Sequence, residues 1–225
     1  MNIALAMTIA PRREVTIDRS LVSLREAGFH EDVHVLAEPG TVGSIGAAAK
    51  TLFGDERVHV RENKRLRGCF GNWKKALKRL LSRTNARWLL ILQDDVVWKR
   101  GSAEILRAQI RSREGHRTGL LSPYTSSVVV GEHFVDGWNE CCLGWGFWGA
   151  LAFCMDRDAA KELLRHPRFA EHGGAREVDA VVAASMLDLG RPSFVHVPSL
   201  VDHIGVTSTI DRDGEWGRRG YRFNE

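Results

Sequence analysis

An uninterrupted apolar run that ends in acidic residues is the feature that most constrains the fold of this chain. The run is Trp88, Leu89, Leu90, Ile91 and Leu92, and it is followed by Gln93, Asp94 and Asp95. A strand buried on both faces has this pattern, which is typical of parallel sheets covered by helices. Ligands bind beyond the carboxyl ends of the strands in such sheets. The run therefore predicts an α/β fold with a site near Asp94 and Asp95.

Apolar runs of strand length alternate with amphipathic segments of helix length along the whole chain. The predicted strands are residues 3–9, 33–37, 57–61, 88–92, 120–123, 147–155 and 194–197. The predicted helices are residues 18–27, 70–81, 103–113, 158–166 and 178–189, with Ser102 as the cap of the third. This order predicts a mostly parallel, twisted sheet with helices on both faces, in three layers.

Composition indicates one globular unit. Of the 225 residues, 44% are apolar and 27% are charged, and no repeat, linker or low-complexity segment divides them. We expect a single domain over residues 1–210 and a polar tail over residues 211–225. The four cysteines lack a paired spacing, so free thiols are expected. No apolar run approaches the roughly 18 residues of a membrane span, and a cytoplasmic protein is expected.

The charge of the chain is only mildly basic. A net charge of +4 does not require a nucleic-acid partner, and no nucleic-acid motif supports one, so none is expected. Basic residues recur between Lys64 and Arg83, along what is predicted to be an amphipathic helix. A solvated helix face is the common explanation. A peripheral contact with an anionic membrane surface stays open.

The adjacent carboxylates of Asp94 and Asp95 indicate a divalent cation. Two ionised carboxylates repel each other unless a cation compensates them, and oxygen ligands suit Mg²⁺ or Mn²⁺. The alternative is a turn in which one aspartate caps the next segment. The literal Asp-x-Asp strings are weaker candidates, because residues 156–158 open a predicted helix and residues 211–213 lie in the polar tail.

Residues 144–149 match the letters of a dinucleotide-binding loop, G-x-G-x-x-G, but do not fit its chemistry. Bulky aromatic residues fill the pattern, and it precedes a predicted strand instead of following one. A dinucleotide site is therefore not expected here. Trp138, Trp145 and Trp148 either line a pocket and stack on a sugar or pack in the core. Phosphate-loop and esterase motifs are absent from the sequence.

His203, Glu177 and Asp179 are the remaining candidates for chemistry. His203 is predicted to lie in a loop past the last strand, from which it could reach Asp95 and complete a metal site. A lone histidine is more often structural. A carboxylate at the start of the helix over residues 178–189, Glu177 or Asp179, fits either a general base or a favourable charge in a first helical turn.

Taken in chain order, these motifs resemble those of nucleotide-sugar glycosyltransferases with the GT-A fold. Residues 8–12 resemble the first nucleotide-binding unit, and residues 92–96 resemble the acidic metal-binding motif. Residues 145–150 resemble the aromatic, glycine-rich acceptor region. Residues 198–205, which include His203, resemble the terminal segment of transferases related to N-acetylglucosaminyltransferase IV.

The resemblance implies a role for each candidate residue. The donor nucleotide would contact Thr8, Ala10, Pro11, Arg12, Glu38, Asn72, Gln93 and Asp94. Mn²⁺ or Mg²⁺ would bind Asp95, His203 and Asp94, mainly the first two, because Gln93 stands where the family often has an acidic residue. The acceptor would contact Trp145, Gly146 and Trp148, and the catalytic carboxylate would be Asp179 or its neighbour Glu177.

The implied function is the transfer of a hexosyl or N-acetylhexosaminyl group from a nucleotide-diphosphate donor to a hydroxyl acceptor. The expected donor is a UDP-sugar, and the transfer is expected to invert the configuration of the anomeric carbon. Two other functions stay open. One is a nucleotide- or carbohydrate-binding protein without turnover, for which Gln93 is the best argument. The other is a nucleotidyltransferase, which would release pyrophosphate, although the chain lacks a glycine-rich phosphate loop with a lysine near the first strand.

Overall fold

The computed structural model describes residues 2–11, 15–45, 51–126, 134–141, 149–174, 177–205 and 220–224. Within these ranges the strands are β1 (Ile3–Ile9), β2 (Val33–Ala37), β3 (Val58–Glu62), β4 (Trp88–Gln93), β5 (Val96–Trp98), β6 (Leu120–Ser122), β7 (Gly137–Glu140), β8 (Ala152–Asp156), β9 (Ser193–Val197) and β10 (Val201–His203). The α-helices are α1 (Ile17–Glu26), α2 (Gly68–Arg83), α3 (Ser102–Ser112), α4 (Arg157–Arg165), α5 (Pro167–Ala170) and α6 (Val178–Asp188).

The main sheet is mixed and mostly parallel, as predicted. Its strand order is β3-β2-β1-β4-β8-β6-β9-β7, and β5 pairs separately with β10. The strands β1 to β4 run parallel, and so do β6 and β9. β8 is antiparallel to β4 and β6, and the edge strand β7 is antiparallel to β9. Because β8 begins opposite the end of β4, the residues before β8 lie at the carboxyl edge of the parallel strands.

Helices cover both faces of the sheet and close a separate core on each, which confirms the predicted layers. Buried residues of α1 and α3 form one core and those of α2, α4 and α6 form the other. Successive residues of β4 alternate between them, with Leu90 in the first core and Leu89 and Ile91 in the second. No helix in the described ranges is both long and apolar enough to cross a bilayer.

The helix starts differ from the predictions at two places. Ser102 does not cap α3; Gly101 precedes the helix with φ 79°, and Ser102 is its first residue, donating its hydroxyl back to the Lys99 carbonyl. The basic residues before Gly68 precede α2 instead of lying on it. Asp156 does cap α4, accepting the Ala159 amide at 2.6 Å, in agreement with the interpretation of residues 156–158 as a helix start.

Three short strands, β5, β7 and β10, are absent from the predictions. His203 consequently lies at the end of a strand, not in a loop, because β10 pairs antiparallel with β5 and sets His203 opposite Val96. Elements of three or four residues are too short to show an alternation in sequence. The strand predicted over residues 147–155 begins at Ala152.

The described part of the tail, residues 220–224, contacts the body of the protein. The Gly220 amide donates to Asp202 Oδ1 at 2.6 Å, and the Tyr221 amide donates to the Thr125 carbonyl at 2.8 Å. These hydrogen bonds hold residues 220 and 221 beside β10.

Candidate functional site

A cavity of about 160 Å³ lies at the carboxyl ends of β1 and β2, beside the end of β4. Its lining consists of Ile9, Ala10, Pro11, Val15, Thr16, Ile17, Pro39, Gly40, Thr41 and Asp94. Parallel strands bring their carboxyl ends to one edge, where ligands of α/β sheets bind. The cavity therefore gathers three of the residues predicted to contact the donor nucleotide: Ala10, Pro11 and Asp94.

Two buried serines of α1 hold the turn between β4 and β5. Ser20 donates its hydroxyl to the Asp94 carbonyl at 2.6 Å and accepts the Val96 amide at 3.1 Å. Ser23 accepts the Trp98 amide at 3.1 Å. β5 pairs with β10 along one edge only, so the amides on its other edge need side-chain partners. The serines supply them and thereby fix the acidic turn against the helix.

The pairing of β5 with β10 brings Asp95 and His203 together. The Ile204 amide donates to the Asp95 carbonyl at 2.9 Å, which extends the ladder beyond β10. Asp95 Oδ2 then lies 2.6 Å from His203 Nε2, and the side chains are 1% and 12% exposed, respectively. A buried carboxylate and an imidazole thus face each other at the turn beside the cavity. That they share a metal stays a prediction.

Asp95 and His203 are chemically suited to hold a divalent cation. Mn²⁺ accepts carboxylate and imidazole ligands, and Mg²⁺ accepts carboxylates. The neighbouring Asp94 is buried and borders the cavity. In the described ranges no cluster of three or more His, Cys, Asp or Glu side chains surrounds one position. Any further ligands of a cation held by Asp95 and His203 would come from substrate, from water or from residues outside the described ranges.

Gln93 connects the end of β4 to the segment before β8. Its side-chain amide donates to the Ala150 carbonyl at 3.1 Å, and its backbone amide donates to the Leu151 carbonyl at 3.0 Å. A carboxylate at this position could not donate the first bond, which gives a physical reason for glutamine here. At the start of the same segment, the Gly149 amide donates to Asp179 Oδ2 at 2.6 Å. Asp179 therefore reaches the edge of the sheet that carries the acidic turn.

Asp179 and Glu177 occupy different environments. Asp179 lies in the first turn of α6, and its second carboxylate oxygen accepts the Ala180 amide at 3.0 Å. Glu177 precedes α6, is exposed, and has φ 66°, an uncommon conformation for a residue with a side chain. Its backbone carbonyl accepts the Val181 amide at 3.1 Å. Of the two candidates, Asp179 is the one with a bond to the segment beside β4.

Glu38 and Asn72 belong to a buried polar network behind the cavity. The Glu38 carboxylate accepts the Arg67 amide at 3.0 and 3.1 Å and the Asn63 side-chain amide at 3.2 Å. Asn72 donates to the Leu36 carbonyl at 3.0 Å and accepts from the Asn63 side chain at 2.9 Å. Glu38 joins the loops after β2 and β3, Asn72 joins α2 to β2, and neither lines the described cavity. Their contact with the nucleotide stays a prediction.

The other predicted site residues are Thr8, Arg12 and the acceptor set. Thr8 donates its hydroxyl to the Leu92 carbonyl at 3.1 Å and so ties β1 to β4. Arg12, Trp145, Gly146 and Trp148 lie outside the described residues. Trp138 packs against the first core and meets the His196 ring edge-on, with 5.2 Å between centroids. This partly buried position favours the core interpretation for Trp138, and the choice between the core and a sugar-stacking role stays open.

No motif predicts the roles of Ser20 and Ser23. Their signal in the sequence is a pair of serines three residues apart on the apolar face of an amphipathic helix, where a polar group needs a partner. Residues 39–41 are predicted only as a break in regular structure, and in the fold they form one wall of the cavity.

No protein-family model and no curated protein matches the chain. Solved structures do match it. One is the mannosyltransferase PcManGT from Pyrobaculum calidifontis in complex with GDP-Man and Mn²⁺, with a TM-score of 0.56 and 14% identity over 86% of this chain and 56% of that one. Another is GalNAc-T7 with UDP, GalNAc and Mn²⁺, with a TM-score of 0.65 and 13% identity over 90% of this chain and 43% of that one.

This chain thus spans about half the length of these two structures. At such low identity the likeness shows the fold alone. The resemblance of residues 198–205 to transferases related to N-acetylglucosaminyltransferase IV stays a prediction. The topology, the position of the cavity and the two structural neighbours agree on one architecture: the chain has the GT-A fold of nucleotide-sugar glycosyltransferases.

Proposed function

We propose that this protein is a metal-dependent glycosyltransferase that moves a hexosyl or N-acetylhexosaminyl group from a UDP-sugar to a hydroxyl acceptor with inversion. The observation that carries the proposal is the contact between Asp95 and His203 at the turn beside the cavity. These side chains are 108 residues apart in sequence and meet at the edge where α/β sheets bind ligands. Mn²⁺ with a nucleotide or nucleotide sugar in both structural neighbours supports the same class of ligands.

The size of the cavity indicates which part of the donor it takes. Small-molecule sites usually measure about 300–1,000 Å³, whereas this cavity measures about 160 Å³. It therefore suits the nucleoside part of the donor, with the walls formed by residues 9–11 and 39–41. The diphosphate would extend along Asp94 toward Asp95 and His203.

The residues of the chain divide the chemistry between them. A divalent cation bound by Asp95 and His203 would neutralise the charge that grows on the leaving diphosphate. Ser20 fixes the turn that carries Asp94 and Asp95. Asp179 accepts the proton of the acceptor hydroxyl while the hydroxyl oxygen attacks the anomeric carbon of the donor sugar. The segment 145–148 directly precedes Gly149, whose amide binds Asp179, and this supports an acceptor site next to the base.

The first experiment is calorimetric titration of UDP into the protein with Mn²⁺ and with a chelator. We expect binding that needs the metal and that falls by about a hundredfold in D95A and in H203A, since even second-shell partners of a metal are worth about 10–100-fold. Asp158→Ala, an exposed carboxylate in α4, is the matched control and should bind UDP like the wild type. Metal-independent binding, or no binding of UDP, GDP or CMP, would contradict the proposal.

The second experiment tests Asp179 as the base. With the best UDP-sugar from a donor screen, we expect D179N to transfer sugar about 10²–10⁴-fold more slowly while it binds UDP normally. Glu177→Gln is the control and should keep the wild-type rate. A full rate in D179N would remove Asp179 from this role.

The products separate this function from the two others that the sequence leaves open. Chromatography of the reaction should show UDP and a glycosylated acceptor. A binding protein without turnover would leave every UDP-sugar intact. A nucleotidyltransferase, given UTP and a sugar 1-phosphate in a parallel assay, would form UDP-sugar and release pyrophosphate. Either result would overturn the proposal.

A further inference from the structure

We propose that the face formed by α2, β3 and the loop between them docks on a membrane surface that carries anionic lipid headgroups. This basic face consists of Arg61, Lys64, Arg65, Arg67, Lys74, Lys75, Lys78, Arg79 and Arg83. Docking is a property of the surface and does not depend on the proposed reaction.

In the part of the chain that the structure describes, the positive charges of the basic face outnumber the carboxylates beside them, Glu38 and Glu62. Elsewhere arginines pair with carboxylates, as Arg107 does with Glu31 and Arg191 with Glu162. Among the described residues, no ion pair joins a side chain of the basic face to a carboxylate. Its one exposed carboxylate, Glu62, accepts the Gly40 amide. The face therefore carries an excess of positive charge that attracts anions.

The pKa values of Lys75 and Arg79 are lowered by burial first and then by neighbouring positive charges. Burial, followed by the charges of Arg61, Arg67 and Arg79, lowers the pKa of Lys75 against the opposing effect of Glu38. Burial and the charges of Arg61 and Arg83 lower the pKa of Arg79. Positive groups that repel one another in the free protein gain more from an anionic partner than isolated groups would, because the partner relieves the repulsion.

A pocket in the basic face is lined by side chains that bind phosphate. Its volume is about 380 Å³, and its lining includes Arg65, Arg67, Lys74 and His172. The Lys74 ammonium is held at the wall by the carbonyls of residues 169 and 170, at 3.1 and 2.8 Å. An ammonium has three donors, and the carbonyls of the described residues bind two of them. The pocket thus combines a fixed cation with two exposed arginines.

The apolar tip of the loop favours a bilayer over a nucleic acid. Leu66 is 67% exposed and stands between Arg65 and Arg67. A leucine flanked by cations can enter the interface between headgroups and acyl chains while the cations bind phosphate. Single-stranded nucleic acids bind on exposed aromatic rings, and the large hydrophobic side chains exposed in the described ranges are all aliphatic.

The position of the face orients the candidate site toward the membrane. The Arg67 amide binds Glu38 and the Gly40 amide binds Glu62, so the loop that carries Leu66 adjoins the loop that walls the cavity. On the proposed function, a protein docked in this way would meet an acceptor hydroxyl on a lipid-linked molecule. This step alone depends on the proposed function.

The test is sedimentation of the protein with lipid vesicles. Phosphatidylcholine vesicles that contain phosphatidylglycerol should bind the protein at low salt, and pure phosphatidylcholine vesicles should not. Salt at about 1 M shortens the Debye length to about 3 Å and should release the protein. Combined Lys64→Gln, Arg65→Gln and Lys78→Gln changes should weaken binding by about a hundredfold, since each charge is worth about fivefold.

Two matched controls make this test specific to the basic face. Combined Arg100→Gln, Arg111→Gln and Arg165→Gln changes remove the same charge from other exposed positions and should leave vesicle binding near the wild-type level. Leu66→Ser should weaken vesicle binding by about tenfold, whereas Leu187→Ser, at a residue 54% exposed on α6, should not.

Three outcomes would overturn the docking proposal: no binding to anionic vesicles, equal losses in the two triple variants, or a single-stranded oligonucleotide that displaces the vesicles through the same residues. Metal-dependent UDP binding, measured without vesicles, should persist in the Lys64, Arg65 and Lys78 variant. Absence of vesicle binding with normal UDP binding would thus contradict only the docking proposal. Absence of UDP binding in the wild type would contradict the proposed function.

Discussion

At the scale of single residues, the Ser20 hydroxyl binds the backbone on both sides of the acidic turn, at the Asp94 carbonyl and the Val96 amide. Removing these bonds inside the protein costs about 1–3 kcal/mol. We expect S20A to lower the free energy of unfolding by this amount in urea titrations. The acidic turn should also lose its fixed position, so calorimetry should show several-fold weaker binding of UDP with Mn²⁺.

The control for this prediction is Ser112→Ala. Ser112 is exposed on α3 and donates to the Gln109 carbonyl, a bond that water can replace. Its removal should change the free energy of unfolding by less than about 0.5 kcal/mol. An S20A protein that matches S112A in both stability and UDP binding would show that the serine does not hold the turn.

Sequence reasoning at this scale succeeds where a residue follows a strong local pattern. Asp95 follows the most apolar run of the chain, so its position at the edge of the sheet is predictable. The bond of Ser20 to Val96 spans 76 residues, and nothing near either residue indicates the other. The positions of Glu38 and Asn72 behind the cavity depend in the same way on Asn63, which joins them from a separate loop.

At the scale of elements, α4 begins at a side-chain cap. Asp156 Oδ1 accepts the Ala159 amide at 2.6 Å, which satisfies one of the amides that a helix start leaves without an intrahelical partner. We expect D156A to lower the free energy of unfolding by at least about 1 kcal/mol, because it removes the cap and also the carboxylate that lies 3.5 Å from Arg191. D156N should retain the capping part of that contribution, because asparagine caps as well. Urea unfolding of both variants measures the difference.

Asp158→Ala provides the comparison within the same helix. Asp158 is exposed in the first turn and pairs with Lys161 at 3.0 Å, an exposed contact of small value. A loss in D158A as large as in D156A would mean that negative charge near the helix start, not the hydrogen bond, stabilises α4.

Element length decides which elements the sequence reveals. α2 and β4 are long enough to show a clear periodicity, and both are present within two residues of the predicted ends. β5 and β10 have three residues each, yet their pairing creates the contact between Asp95 and His203. β8 runs antiparallel to β4, and no local pattern in its own sequence encodes that direction.

At the scale of the whole molecule, a buried arginine joins parts of the chain that are distant in sequence. The Arg191 guanidinium donates to Glu162 of α4 at 2.7 and 2.9 Å and to the Thr118 carbonyl at 2.9 Å, and it lies 3.5 Å from Asp156. Arg191 is 5% exposed. A charge so deeply buried needs its partners, and the pairing makes the stability of the fold depend on the ionisation of Glu162.

The hydrogen bonds from Arg191, with a smaller effect from the charge of Arg117, lower the pKa of Glu162 to about 2. The unfolded chain has the ordinary value near 4.5, so the folded protein holds Glu162 ionised where the unfolded chain protonates it. The stabilisation is fully present above pH 4.5 and disappears as the pH falls toward about 2.

We expect E162Q to be less stable than the wild type by about 1–3 kcal/mol at pH 7. This difference in the free energy of unfolding should shrink steadily between pH 4.5 and 2 in urea titrations. Glu171→Gln, at an exposed carboxylate, should track the wild type at every pH. A constant gap between E162Q and the wild type over this interval would show that the pair contributes by packing and not through the charge of Glu162.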